Sequence, residues 1–127
     1  MAEDRVERRL VAILAADMVG YSRLMEVDEA GTLARLKALR RELIDPSVAG
    51  HRGRIVKTSG DGMLIEFPSA VDAVNHAVAV QHALAAANAD VSDNLRLIFR
   101  IGISLGDVIV DGDDLYGNGV NVAARME

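Results

Sequence analysis

The chain has 127 residues, 50% of them hydrophobic and 26% charged, with a formal net charge of −5. These values fit one globular domain and argue against disorder, and the absence of cysteine excludes a disulfide framework, a thiolate metal site and a cysteine nucleophile. An acidic balance with only 3% aromatic residues excludes a general nucleic-acid binder, which needs a basic face and stacking rings; a nucleotide site stays open if divalent cations carry the positive charge. The mixed-charge start from Met1 to Arg9 and the short apolar run Leu10–Ala16 fit neither a signal peptide nor a membrane span. A soluble, cytoplasmic chain is expected.

Leu10–Ala16 predicts a central strand buried on both faces. A loop with Gly20 follows, and from about Asp28, an expected N-cap, the stripe Leu33, Leu36, Leu39 or Arg40, and Leu43 predicts a helix that Asp45-Pro46 interrupts. Gly50–Gly53 reads as a turn, Arg54–Thr58 as a strand, Ser59-Gly60-Asp61-Gly62 as hairpin chemistry and Met63–Phe67 as the returning strand. Ser69 and Asp72 start a second helix running to about Ala89, with Ala70, Val74, Ala77, Val78, Gln81 and Leu84 at helical spacing. Leu95–Leu105 predicts a strand that turns at Gly106-Asp107 into Val108–Val110. An acidic loop, Asp111–Asp114, and Gly117-Asn118-Gly119 precede a last helical segment, Val120–Glu127.

The order β-α-β-β-α-β-β-α predicts a ferredoxin-like α+β fold, an antiparallel sheet with helices packed on it. The helical crossover makes the first two strands run the same way, so Asp17 and Asp61 fall at one edge of the sheet. Two carboxylates there suit hard cations such as Mg²⁺, which takes one or two carboxylates plus phosphate oxygens. On spacing alone, Asp17 reads equally as a helix cap and Asp61 as an ordinary turn residue. Lys57 stands in an otherwise apolar strand and also fits a snorkelling surface lysine. Asn121 and Arg125 share one helix face, where a solvated pair is the alternative. His51, His76 and His82 lack ligand spacing, and the last two, on one helix, are expected to be exposed or locally satisfied. Met18, Met25 and Met63 read as packing residues near the site, and the basic face Arg35, Lys37, Arg40, Arg41 as solvated or regulatory.

Three motifs carry a resemblance. Asp17-Met18-Val19-Gly20-Tyr21-Ser22 resembles the first metal motif of the class III nucleotidyl cyclases, with Tyr21 where Phe is usual. Lys57-Thr58-Ser59-Gly60-Asp61 is similar to the family's Lys-x-x-Gly-Asp hairpin, and Asp114 through Arg125 resembles its Asp-x-aromatic-Gly-x-x-Val-Asn-x-Ala-x-Arg signature. The resemblance implies that residues 1–127 are a class III cyclase catalytic domain converting ATP to 3′,5′-cyclic AMP and pyrophosphate. It implies two divalent ions (Mg or Mn) on Asp17, Asp61 and the Met18 carbonyl, and phosphate-cradling N–H groups from Val19, Gly20, Tyr21 and Ser22. Lys57 would donate to adenine N1 and Asp114 would accept from the N6 amine; Asn121 would position the ribose and Arg125 would stabilise charge on the α-phosphate.

The same resemblance implies a head-to-tail homodimer with shared sites, and regulatory domains outside these residues. The family pattern continues past the Arg-containing helix with two closing strands and a triphosphate-contacting lysine, so the chain is expected to lack the domain's C-terminal closing segment. An inactive cyclase-homology module that dimerises or binds nucleotide, and a GTP-preferring cyclase, are the alternatives. Lys57 and Asp114 argue against the second. The Ser-Gly-Asp-Gly-Met hairpin argues against a diguanylate cyclase.

Overall fold

The computed structural model describes residues 7–111, 114–116 and 123. Strand β1 (Glu7–Met18) leads into helices α1 (Tyr21–Val27) and α2 (Glu29–Leu39), a π-helical turn (Arg40–Ile44) and α3 (Asp45–Gly50). Strands β2 (Arg54–Ser59) and β3 (Gly62–Phe67) form a hairpin, α4 spans Ala70–Asn88, and β4 (Phe99–Asp111) pairs with the short β5 (Asp114–Tyr116). The five-stranded sheet has the order β2-β3-β1-β4-β5. Every neighbouring pair is antiparallel, so β1 and β2 run the same way, as the ferredoxin-like reading requires. Among the described residues, no helix is long and apolar enough to cross a membrane.

β1 is apolar in both alternating rows because both of its faces are covered. Ala12, Leu14, Ala16 and Met18 pack against the helices, in one core with Leu24, Leu36, Val80 and Leu84. Val11, Ile13 and Ala15 point to the other face, into a smaller core with Leu64, Val108 and Ala123. Ala123 therefore covers the sheet face that the helices leave open.

Two N-caps form as the residue types demand. The Asp28 carboxylate accepts from the Gly31 N–H at 2.9 Å, and Ser69 Oγ accepts from the Asp72 N–H at 3.1 Å. The hairpin at Gly60-Asp61 is a two-residue loop, with Ser59 opposite Gly62 and Gly60 at φ 59. Only the first central residue needs the left-handed region there, which is why glycine occupies it.

Four sequence expectations change. The segment after Gly20 is helical at once, as α1, where a loop up to Asp28 was expected. Asp45-Pro46 does not end the helix: Pro46 enters α3 directly after the π-helical turn, in which the Asp45 N–H bonds to the Arg40 carbonyl. That wider turn accommodates a residue that lacks an N–H and crowds the preceding turn. Gly106 and Asp107 do not turn the chain, because β1 extends back to Glu7 and both residues are laddered to it, opposite Val11 and Leu10. Finally, α4 buries Ala73, His76, Val80 and Leu84, while Val74 and Val78 of the expected stripe are exposed. The helix is apolar on nearly every side, so its periodicity could not select a face.

Candidate active site

Asp17 continues the odd-numbered row of β1, beyond Val11, Ile13 and Ala15, onto the face away from the helices. The ladder sets Arg100 of β4 directly opposite it. The guanidinium grips the carboxylate with both forks, Nε to Oδ1 at 2.9 Å and Nη2 to Oδ2 at 3.1 Å. Asp61 reaches the same place from the hairpin tip, where its Oδ2 accepts a hydrogen bond from the Met18 N–H at 2.8 Å. Its carboxylate therefore lies against the peptide that joins Asp17 to Met18. The expected meeting of Asp17 and Asp61 at one sheet edge is a feature of the fold, and Asp61 does more than fill a turn.

The turn after β1 is tightly organised. The Val19 N–H donates to the Ile98 carbonyl at 2.8 Å, so one N–H expected at a phosphate is engaged by the backbone. Gly20 stands at φ 68 as the N-cap of α1, which has no side-chain cap, so no side chain competes for the N–H groups at its start. Ser22 is exposed, while Tyr21 packs on the main core with its ring against the hairpin tip; a Cβ on Gly60 would lie 3.8 Å from Tyr21 Cε2. Met18 is fully buried and Met63 nearly so, consistent with packing roles.

Lys57 owes its placement to one extra residue in β2. The register shifts between Ile55 and Lys57, so Ile55 opposes Ile65 and Lys57 opposes Leu64. A regular ladder would set Lys57 against Met63, on the helix-covered face. The bulge instead gives it Leu64's side of the sheet, the side of Asp17. Asp114 opens β5, opposite Asp111. Although β5 and β2 end the strand order on opposite sides, they approach within 8 Å between Cα atoms, so the β4–β5 hairpin brings the Asp114 strand back toward the Lys57 strand. Asn121 and Arg125 lie outside the described residues. Ala123 between them is buried in the core on this same face.

The donor set fits a Mg-type cation. Two carboxylates flank one peptide, and among the described residues no group of three or more His, Cys, Asp and Glu forms a closed cage. A cation held by one or two carboxylates completes its shell with water and phosphate oxygens. Sequence reasoning missed Arg100. The available signal was the antiparallel register itself, which pairs an acid near the end of one strand with a base near the start of another.

The histidines are not all peripheral. His82 is exposed, but His76 is buried between α3 and α4, with Nδ1 2.9 Å from Ser47 Oγ and its ring 5.2 Å from that of Phe67. Burial, and next the nearby His51, lower its pKa from 6.5 to about 4, against a hydrogen bond to the Ser47 backbone that raises it. Its partner is tertiary, where exposure or a local partner was expected.

Comparison with known proteins places these residues in context. A family model described as the adenylate and guanylate cyclase catalytic domain matches residues 4–127. A protein of Rhizobium meliloti (strain 1021) assigned as an adenylate cyclase is 54% identical over 127 residues, which is 100% of this chain and 22% of the relative. An adenylate cyclase of Streptomyces coelicolor is 37% identical across 98% of this chain and 31% of its own length. The chain thus spans less than a third of these curated relatives. A crystal structure of an adenylate/guanylate cyclase/hydrolase from Silicibacter pomeroyi superimposes with a TM-score of 0.91 at 51% identity, covering 97% of this chain and 72% of that one.

Proposed function

The chain belongs to the adenylate and guanylate cyclase catalytic-domain family, and from that premise we propose that it forms 3′,5′-cyclic AMP and pyrophosphate from ATP. The observation that carries the reading is the convergence of Asp17 and Asp61 on one peptide, with Lys57 turned by the bulge onto the Asp17 side. The names of the Rhizobium meliloti and Streptomyces coelicolor relatives support the choice of adenylate chemistry.

Asp17, Asp61 and the Met18 carbonyl would hold two divalent cations, Mg or Mn, which when bound lower the pKa of the ribose 3′-hydroxyl and neutralise the departing pyrophosphate. The N–H groups of Gly20, Tyr21 and Ser22 orient phosphate oxygens at the start of α1. Lys57 donates to adenine N1 and Asp114 accepts from the N6 amine. Guanine presents an N–H and a carbonyl at those two positions, so both contacts are mismatched and the site discriminates against GTP. Asn121 orients the ribose, and Arg125 meets charge developing on the α-phosphate. Two chains paired head to tail combine the carboxylates of one with the base-reading and phosphate residues of the other.

The direct test measures cyclic nucleotide formation from ATP and from GTP with Mn²⁺ or Mg²⁺, in the native sequence and in Asp61→Ala. ATP turnover well above GTP turnover is expected, lost on average at least 100-fold in the variant, on the order of the loss when a transition-state electrostatic contact is removed. Equal ATP turnover in Asp61→Ala would show that the metal assignment is wrong. Faster turnover of GTP would overturn the adenine reading.

A further inference from the structure

We infer that Arg100 is a positioning residue for Asp17 and competes with divalent cations for its carboxylate, so that the Asp17–Arg100 pair sets how tightly the site takes metal before nucleotide arrives. The inference rests on the metal reading of Asp17 and Asp61.

The two carboxylates are held differently. Asp61 is fixed by a neutral backbone donor, Met18 N–H at 2.8 Å, through one oxygen. Both oxygens of Asp17 are engaged by a full positive charge, at 2.9 and 3.1 Å. A cation bound at Asp17 must draw at least one of those oxygens away from the guanidinium. The ladder makes the pairing a permanent feature, since Asp17 and Arg100 are directly opposite each other on adjacent strands.

Exposure makes the pair releasable. The Arg100 side chain is 57% exposed and that of Asp17 23%, so the guanidinium can withdraw into water without leaving a buried charge behind. Glu66 supplies the contrast on the same sheet face. Its side chain is only 9% exposed and holds Arg54 at 2.6 Å and Arg9 at 3.6 Å, so opening those pairs would strand a desolvated carboxylate. Glu66–Arg54 is a fixed structural pair, and Asp17–Arg100 an exchangeable one. The fork geometry matters too: a lysine ammonium is a point charge that cannot engage both Asp17 oxygens in the same way.

The test is Mn²⁺ binding to the nucleotide-free protein, read from the electron paramagnetic resonance signal of free Mn²⁺. Arg100→Met is expected to tighten Mn²⁺ binding about fivefold, the factor a partly exposed ion pair contributes, and Arg100→Lys to tighten it less. In an Asp17→Asn background, Arg100→Met is expected to change nothing, because the carboxylate it competes for is gone. Unchanged or weaker Mn²⁺ binding in Arg100→Met, with Asp17→Asn still weakening it, overturns the competition while the metal reading stands. Mn²⁺ binding that neither Asp17→Asn nor Asp61→Asn alters removes both.

Discussion

Replacing His76 by Gln should flatten the acid limb of the domain's stability profile. His76 is 2% exposed, wedged between α3 and α4 against the Phe67 ring. The His51 Nδ1 lies 2.7 Å from the Ser47 carbonyl, which can only accept, so that nitrogen carries a proton. The Ser47 Oγ lies 2.9 Å from His76 Nδ1. Protonating His76 places a charge in the core, where burial disfavours it most, and beside the His51 ring, 5.9 Å away. These costs hold the folded pKa at about 4, against 6.5 in the unfolded chain.

Between those two values the unfolded state binds a proton that the native state refuses, so stability falls as pH drops below 6.5 and the loss saturates below about 4. Going from pH 7 to pH 5, the linkage removes about 2 kcal/mol. At roughly 4 °C per kcal/mol for a domain of this size, that is about 8 °C in Tm. Thermal unfolding of the native sequence and of His76→Gln, followed by circular dichroism across this pH range, measures the difference directly. Gln keeps a polar partner for Ser47 and does not titrate. The wild-type Tm should fall faster than that of the variant by about this amount; parallel profiles would refute the buried neutral histidine.

Gly53→Ala should destabilise the domain by about 1–3 kcal/mol in urea unfolding, the usual cost of overpacking a core. The new Cβ would sit 2.5 Å from Cε1 of the fully buried Phe67, whose ring has nowhere to go. Unchanged stability would show that the ring can shift. Arg52→Gly should raise the urea midpoint modestly, because Arg52 occupies φ 63 at the end of α3, a conformation that costs a non-glycine residue about 1 kcal/mol. The ion pair lost is an exposed one, Arg52 to Asp72 at 3.0 Å, and Asp72 keeps its hydrogen bond from Ser69. A lower midpoint would mean that the pair outweighs the backbone strain.

The parts of the fold that were legible in the sequence are those written by local chemistry. The apolar run of β1, the Gly60-Asp61 hairpin and the Asp28 and Ser69 caps each declare themselves within a few residues. What stayed hidden depends on partners distant in the chain. Gly106-Asp107 looks like a turn until Val11 and Leu10 are found opposite it. Pro46 looks like a helix end until a π-helical turn makes room for it. On α4, a polar-looking His76 hides the buried face because its partner, Ser47, is on another helix. The site divides similarly. Motif spacing singled out Asp17, Asp61, Lys57 and Asp114, whereas the bulge that orients Lys57 and the register that brings Arg100 to Asp17 belong to strand pairing.

Register also answers how two carboxylates coexist at one sheet edge. Like charges held close together raise the free energy of the fold unless something compensates them. The chain supplies compensation from its own groups, a guanidinium for Asp17 and a backbone N–H for Asp61. The compensation is also as specific as the ladder. A one-residue slip of β4 along β1 would send Arg100 to the helix-covered face and set an apolar neighbour, Phe99 or Ile101, opposite Asp17. The same slip would carry Ile101 and Ile103 away from the main core, against which they pack. Burial of β4's apolar row thus fixes the register, and the register delivers the counter-charge to the site: core packing and site electrostatics are set by one set of strand contacts.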